Sequence, residues 1–326
     1  MPTEPTAPPP TLPPEWVVTF PDEQWAEDVG LLPDGVTAAV WDVEHPPAGQ
    51  LGDLLDRVAV VVPPYLHRAP GLPALADLPA LRLVQTLTTG YDNVLPHLPP
   101  GVTLAHASGV HDASTAELAV GLALASLRGI DVAARDLESA TWGHVQRPSL
   151  ADRAVMVIGV GGIGNAISDR LAPFEVRLTR VASTARSDER GPVHGTDELP
   201  NLLPQQDVVV LAVPLNDSTH HLVDAAFLAA MAEGALLVNV ARGQVVDTAA
   251  LLAELRRHRL RAALDVVDPE PLPAGHPLWG APGLLLTPHV GGDTTAMRPR
   301  ALGLLRDQLA RLARGEQLRN LVSGTG

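Results

Sequence analysis

The chain of 326 residues contains no cysteine. Disulfides, thiolate nucleophiles, iron–sulfur clusters and cysteine zinc sites are therefore excluded. It also contains no lysine, so all 23 basic side chains are arginines. A Schiff-base lysine, a P-loop lysine and a Tyr-x-x-x-Lys catalytic pair are ruled out, and any cationic role falls to Arg, His or a metal. Long apolar runs are missing too. The longest apolar helical stretch, LAVGLALASL at 118–127, is too short to span a bilayer, and no basic-then-apolar leader opens the chain. The expectation is a cytoplasmic protein without membrane contact. An excess of positive charge is likewise absent: the formal net charge is −14, which argues against a nucleic-acid partner. It does not argue against anionic substrates, because one local Arg outweighs a diffuse acidic surface.

What is present is an alternation of short apolar runs with helix-like segments. The first set is WVVTF (16–20), AAVWDV (38–43), VAVVV (58–62), LRLVQTL (81–87) and VTLAHA (102–107). The second is AVMVIG (154–159), VRLTRVA (176–182), DVVVLAV (207–213), ALLVNVA (235–241), RAALDVV (261–267) and LLLTP (284–288). Strands alternating with helices predict parallel α/β sheets, and the length predicts two domains. The stretch 114–130 reads as a helix apolar nearly all round, hence buried between domains or subunits. The stretch 294–315 reads as an amphipathic helix, with Pro299 marking a kink or its true start, that returns to the first domain. The expected division is therefore 1–113 plus 297–326, and 114–296, with the proline-rich residues 1–14 a loose arm.

Four motifs carry chemistry. Gly159, Gly161 and Gly164 are spaced G-x-G-x-x-G between an apolar run and a helix-like segment, the context of a dinucleotide-binding turn. Gly159 permits the tight turn, Gly161 lets the backbone approach a pyrophosphate, and Gly164 lets helix and strand pack closely. The second run of such a unit usually ends in an acid that holds the ribose hydroxyls of NAD. Here it ends in Val181, Ala182, Ser183 and Thr184. In NVARGQVVD, Arg242 follows a strand end, where it either forks onto a carboxylate or ketone oxygen or merely bridges surface groups. Asp247 reads as the cap of the following helix. ALDVVDPEPLP offers Asp265, Asp268 and Glu270 at another strand end, and LTPHVGG sets His289 after a third. A His and an acid on neighbouring strand ends form a candidate acid/base pair. His220 and His221, adjacent residues expected to point apart, match no metal-binding spacing, and no metal is expected.

Taken in order, TLTTGYDNV, GVHDASTAELAV, VIGVGGIG, AVPLNDSTHHLV, NVARGQVVD, ALDVVDPEPLP and LTPHVGG make the chain resemble the D-isomer-specific 2-hydroxyacid dehydrogenase family. The resemblance covers nearly the whole length and is strongest from about residue 81. It implies two Rossmann-like α/β lobes, a doubly wound dinucleotide-binding domain and a flavodoxin-like substrate domain, with the active site in the cleft, normally as a homodimer built on the helix at 116–128. It implies a catalytic set of Arg242, Glu270 and His289. In the reducing direction a nicotinamide hydride reaches the ketone carbon of a 2-oxoacid and His289 gives its proton to the developing alkoxide. Glu270 orients His289 and favours its charged form, while Arg242 holds the carboxylate and polarises the ketone. Further implied contacts are Thr88, Thr89 and Gly90 to the substrate carboxylate. To the coenzyme they are Gly162 and Ile163 in the glycine turn, Val213, Pro214 and Thr219, Val240 and Ala241, and Asp265, His289 and Gly291.

The missing acid points to NADP(H) over NAD(H), with NAD(H) possible. Ala182 removes the carboxylate that would repel a 2′-phosphate, Ser183 and Thr184 offer hydroxyls, and Arg186 offers a charged fork. Arg180 lies further back along the strand. The leading expectation is an NADP-preferring reductase of small 2-oxoacids, glyoxylate or hydroxypyruvate. Glu270 argues against the formate dehydrogenase branch, where Gln stands at this place. A phosphite-dehydrogenase-like enzyme on the same scaffold, or a coenzyme-sensing co-regulator that binds protein partners, are the alternatives. Trp142, His144 and His111 are candidates for lining the cleft.

Overall fold

The computed structural model describes residue 10, residues 12–65 and residues 71–325. The loose arm expected over 1–14 falls mostly on residues outside that set. The chain divides into one unit of residues 1–111 with 295–326 and a second of residues 112–294.

Among the described residues of the first unit, β1 (Trp16–Phe20), β2 (Val36–Val40), β3 (Val58–Val61), β4 (Leu83–Gln85) and β5 (Thr103–Ala105) form a parallel sheet. Its order is β2-β1-β3-β4-β5, the flavodoxin-like arrangement. Period-two alternation sends Trp16, Val18 and Phe20 into one core and Val17 into another, so the sheet is buried on both faces, as parallel sheets require. The strand expected over 38–43 ends earlier. Val43 takes a left-handed turn (φ 58°) and the Trp41 indole donates to the His45 carbonyl at 2.9 Å.

The C-terminal helix (Met297–Ala313) belongs to this unit and buries Leu302, Leu305, Leu309 and Leu312. Pro299 lies in its first turn, where backbone N–H groups have no intrahelical partner and a missing one costs nothing. Arg298 fastens the helix by pairing with Asp28 at 2.7 Å and lying 4.3 Å over the Trp25 ring.

The second unit holds β6 (Ala154–Ile158), β7 (Arg177–Ala182), β8 (Arg186–Asp188), β9 (Gly191–Gly195), β10 (Val208–Leu211), β11 (Leu236–Asn239), β12 (Arg261–Leu264) and β13 (Leu284–Leu286). Their order among the described residues is β13-β12-β11-β10-β6-β7-β9-β8, parallel except for the β8–β9 hairpin. Winding reverses between β6 and β10, which is the topological switch point where open α/β sheets bind ligands at their carboxyl ends. Val155, Val157, Val208 and Val210 face one core; Met156, Ile158, Val209 and Leu211 face the other.

In the same unit, α1 (Asp112–Arg128) and α2 (Ile130–Asp136) precede β6, and α3 (Gly162–Leu171) follows it. The near all-round apolarity of α1 is spent inside the unit: Ala116, Ala119, Leu122, Ala123 and Leu127 pack with Val155, Val157 and Ile167. The β8–β9 hairpin went unexpected because all three β8 residues, Arg186, Ser187 and Asp188, are exposed and give no apolar alternation.

Candidate active site

The glycine turn joins β6 to α3. Gly159 has φ +102°, and a Cβ there would meet the Ala212 carbonyl oxygen at 2.4 Å; a Cβ on Gly164 would meet the Gly159 carbonyl oxygen at 1.7 Å. Both positions are glycine because the fold allows nothing larger. Gly161 differs: a Cβ there would meet nothing within 4 Å. That open side lies at the N-terminus of α3, where unpaired N–H groups and the helix dipole favour an anion. The turn therefore fits a pyrophosphate. A Cβ on Gly162 would strike the Asp112 carboxylate at 2.1 Å, and Asp112 Oδ1 is buried without a partner. Sequence reasoning gave Asp112 no role, since only the fold brings the start of α1 onto this turn.

At the end of β7, Ala182 is half-buried and Ser183, Thr184 and Arg186 are exposed, with Arg186 donating to the Thr184 carbonyl at 3.2 Å. Arg180 is 3% exposed and committed elsewhere. It makes two 2.6 Å bonds to Asp188 and one of 3.0 Å to Asn165. The Arg180 guanidinium holds the Asp188 carboxyl at about 2, below the usual carboxylate range. An acid thus follows β7 after all, six residues past Ala182, but it is bound to Arg180.

Further along the sheet edge, Val213 and Pro214 follow β10, and the Thr219 hydroxyl donates to the Pro214 carbonyl at 2.6 Å. The expectation that His220 and His221 point apart is corrected: their rings stack with centroids 4.1 Å apart. His221 is left-handed (φ 51°) in a turn, so the alternation of a regular element does not apply. Among the described residues no group of three or more His, Asp or Glu is placed to hold a metal ion.

Val240, Ala241 and Arg242 follow β11. Asn239, 1% exposed, grips this turn by donating to the Arg242 carbonyl at 2.9 Å and accepting from the Ala241 N–H at 3.0 Å. Gly243 follows because a Cβ there would meet the Val267 carbonyl oxygen at 1.9 Å. The Arg242 guanidinium donates to the Ala241 carbonyl at 2.8 Å and lies within electrostatic reach of Glu270.

The β12 and β13 ends deliver the acid and the imidazole. His289 Nδ1 and Glu270 Oε1 are 2.5 Å apart, both partly open to solvent. Burial pushes the Glu270 carboxyl up, but the His289 bond and charge, the Val267 N–H and Arg242 outweigh it, leaving the group below its ordinary value. Asp265, 3% exposed, accepts from the Thr287 hydroxyl (2.6 Å) and from the N–H groups of Val290 and Gly291 (2.9 Å each). Its carbonyl also accepts the His289 N–H at 2.8 Å. Three of the roughly four acceptor positions of a carboxylate are thus spent on holding the His289 loop.

In the first unit, the hydroxyls of Thr88 and Thr89 donate to the carbonyls of Gly90 (2.6 Å) and Ala107 (3.3 Å). The backbone N–H groups of Thr88, Thr89 and Gly90 donate to no acceptor among the described residues, which is the form of an anion-binding nest. His111 is buried, its Nε2 2.7 Å from the Leu87 carbonyl oxygen. Trp142, in the second unit, is 96% exposed and belongs to no core.

A doubly wound parallel sheet, a glycine turn opening a helix at its switch point, and Arg, Glu and His on neighbouring strand ends define a nicotinamide-dinucleotide-dependent oxidoreductase. Residues 120–291 match the model of the NAD binding domain of D-isomer specific 2-hydroxyacid dehydrogenases, and the chain belongs to that family. It is 33% identical over 256 residues to a glyoxylate reductase of Thermofilum pendens, covering 75% of this chain and 76% of the relative. A D-isomer specific 2-hydroxyacid dehydrogenase of Xanthobacter autotrophicus Py2, solved with NADPH and MES, superposes with a TM-score of 0.81 at 27% identity, covering 95% of this chain and 98% of the other. An NADPH-dependent glyoxylate/hydroxypyruvate reductase of Sinorhizobium meliloti, solved with NADP and malonate, gives 0.77 at 25% identity, covering 95% and 97%.

Two substitutions separate folding from binding in the glycine turn. Gly164→Ala should destabilise the protein by about 1–3 kcal/mol through overpacking, read as a lower denaturant midpoint. Gly161→Ala should stay within about 1 kcal/mol of the parent yet bind coenzyme more weakly in a fluorescence titration. Equal midpoints for the two variants would refute the division of roles. Separately, Asp265→Ala should cost about 1–3 kcal/mol for each buried donor left unsatisfied, and an unchanged unfolding curve would show that the His289 loop holds itself.

Proposed function

We propose that the protein reduces small 2-oxoacids, glyoxylate or hydroxypyruvate, to the corresponding 2-hydroxyacids, with NADPH preferred over NADH. The observation that carries this is the 2.5 Å Glu270–His289 pair within electrostatic reach of Arg242, on the sheet edge that also bears the glycine turn. When bound, the nicotinamide coenzyme supplies the hydride. His289 commits Nδ1 to Glu270, so Nε2 is the ring nitrogen that donates a proton to the substrate's developing alkoxide. Glu270, kept ionised below its ordinary value, fixes the ring orientation that this transfer requires. Arg242 brings a rigid five-donor fork. With one donor on the Ala241 carbonyl, it binds the substrate carboxylate and stabilises charge growing on the ketone oxygen. The loop at 88–90, in the first unit, is assigned to binding an anion through its unpaired N–H groups.

The coenzyme preference is assigned to residues 182–186. Ala182 presents no carboxylate to a 2′-phosphate, and Ser183, Thr184 and Arg186 are exposed beside it. Relatives solved with NADPH or NADP support this assignment. A homodimer is proposed through residues 130–145 rather than through α1 itself, because Ile130, Leu137, Trp142 and Val145 are exposed apolar side chains on this segment.

The test is a panel of 2-oxoacids with each coenzyme, followed at the reduced-nicotinamide absorbance, with phosphite included in the oxidising direction. Turnover of phosphite alone would transfer the reading to phosphite oxidation, and no turnover with any member would end it. His289→Ala should lower kcat by about 10²–10⁴-fold, the usual contribution of a general acid, while coenzyme binding survives; an unimpaired variant would exclude His289 as the acid. For the coenzyme, Arg186→Ala should lower kcat/KM with NADPH about tenfold, the worth of one charged hydrogen bond, and leave NADH unaffected. A parent enzyme that is as efficient with NADH would defeat the preference.

A further inference from the structure

In the first unit, β4 runs out into residues 86–90, and the carbonyls along this stretch are held one after another. The Gln85 amide donates to the Thr86 carbonyl at 3.0 Å. His111 Nε2 lies 2.7 Å from the Leu87 carbonyl oxygen. The Thr88 carbonyl accepts the Thr86 hydroxyl and the Ala107 N–H, both at 2.9 Å. The Gly90 carbonyl accepts the Thr88 hydroxyl at 2.6 Å. A carbonyl oxygen only accepts, so His111 carries a proton on Nε2. The peptides that follow Leu87 and Thr88 are trans, and in a planar trans peptide the C=O and the N–H point in opposite directions. Holding the Leu87 carbonyl therefore fixes the Thr88 N–H, and holding the Thr88 carbonyl fixes the Thr89 N–H. Both N–H groups donate to no acceptor among the described residues. The two threonine hydroxyls brace their own loop across two residues, whereas His111 reaches it from 24 residues further on. His111 is 4% exposed, and the Tyr65 ring stacks on it with centroids 5.5 Å and planes 19° apart. That stacking restricts the imidazole plane and keeps Nε2–H aimed at Leu87.

We propose that His111 is a positioning residue for anion binding: through the Leu87 carbonyl, its Nε2–H presets the Thr88 N–H for a substrate carboxylate. This rests on the reading of residues 88–90 as an anion-binding loop. Successive N–H groups turned the same way form a concave anion site. A peptide plane left loose would have to be ordered when the anion arrives, and one already fixed spares that cost. The His111 proton is committed to a backbone carbonyl, so His111 exchanges none with the substrate. The hold it provides is the same in the ground state and in the transition state. Its loss therefore falls on substrate binding and leaves the chemical step alone.

The experiment compares two variants of the full-length protein. His111→Phe keeps a ring for Tyr65 to stack on and removes the donor; His111→Gln puts an amide nitrogen in place of Nε2. Oxalate binding to the coenzyme-saturated protein is followed by calorimetry, and steady-state constants are taken with glyoxylate. His111→Phe should weaken oxalate about tenfold and raise the KM for glyoxylate equally, the worth of one hydrogen bond to a charged group. Its kcat and its KM for coenzyme should stay at the parent values, and His111→Gln should recover most of the loss. A parent that does not bind oxalate, or a His111→Phe variant that binds it unimpaired, would overturn the proposal. So would a parallel loss of coenzyme affinity, the mark of a general structural defect. If the parent binds oxalate but turns over no 2-oxoacid, the assigned reaction falls, and oxalate binding by the variants still decides the role of His111. Should His111→Phe not fold, nitrogen NMR of the parent's imidazoles decides instead. A slowly exchanging Nε2–H, identified by its absence from His111→Gln, is expected, and an Nδ1–H tautomer would overturn the proposal.

Discussion

The arrangement depends most on one buried carboxylate. Asp265 collects the Thr287 hydroxyl and two backbone N–H groups, and its own carbonyl takes the His289 N–H. Those four bonds hold His289 in a left-handed backbone conformation, φ 54°, which costs a non-glycine residue about 1–2 kcal/mol. The strain is tolerable because the surrounding donors would otherwise be buried unsatisfied, at a comparable cost each. What results is an imidazole aimed from a strand end with little freedom to drift, which is what proton transfer needs. Glu270 then fixes the ring from the neighbouring loop, and Asn239 does the same for the turn that carries Arg242.

The sheet beneath makes this precision possible. Every strand of this sheet but β8 ends at the same edge, and alternate side chains of β6, β10, β11 and β12 fill cores on both faces. Strand ends rooted in two cores move little, so residues far apart in the chain keep a fixed geometry. A chain without lysine uses arginine throughout, as the electrostatic fork at Arg242 and the clamp at Arg180.

Much of the fold was legible because buried parallel strands are short unbroken apolar runs. VMVI and VVVL can be little else when glycine turns and amphipathic segments separate them. The parts that were not legible fail for identifiable reasons. The β8–β9 hairpin is exposed and has no apolar rhythm. The ring stacking of His220 and His221 depends on a single left-handed residue. Asp112 reaches the glycine turn only because α1 packs on α3, and Arg180 is withdrawn from any role at the ribose only because Asp188 folds back onto it. In the glycine turn, Gly159 and Gly164 are fixed by contact with backbone carbonyls, while Gly161 faces open space.

By itself the sequence determined the chemistry available: no thiol, no lysine, a dinucleotide turn, and Arg, His and carboxylates each following an apolar run. Those are local properties, set by residue type and by spacing along the chain. Only the tertiary structure decided which acid braces the His289 loop and which arginines are already spoken for. Such choices rest on hydrogen bonds between residues tens of positions apart, and distance along a chain carries no information about distance in space until the sheet order is known.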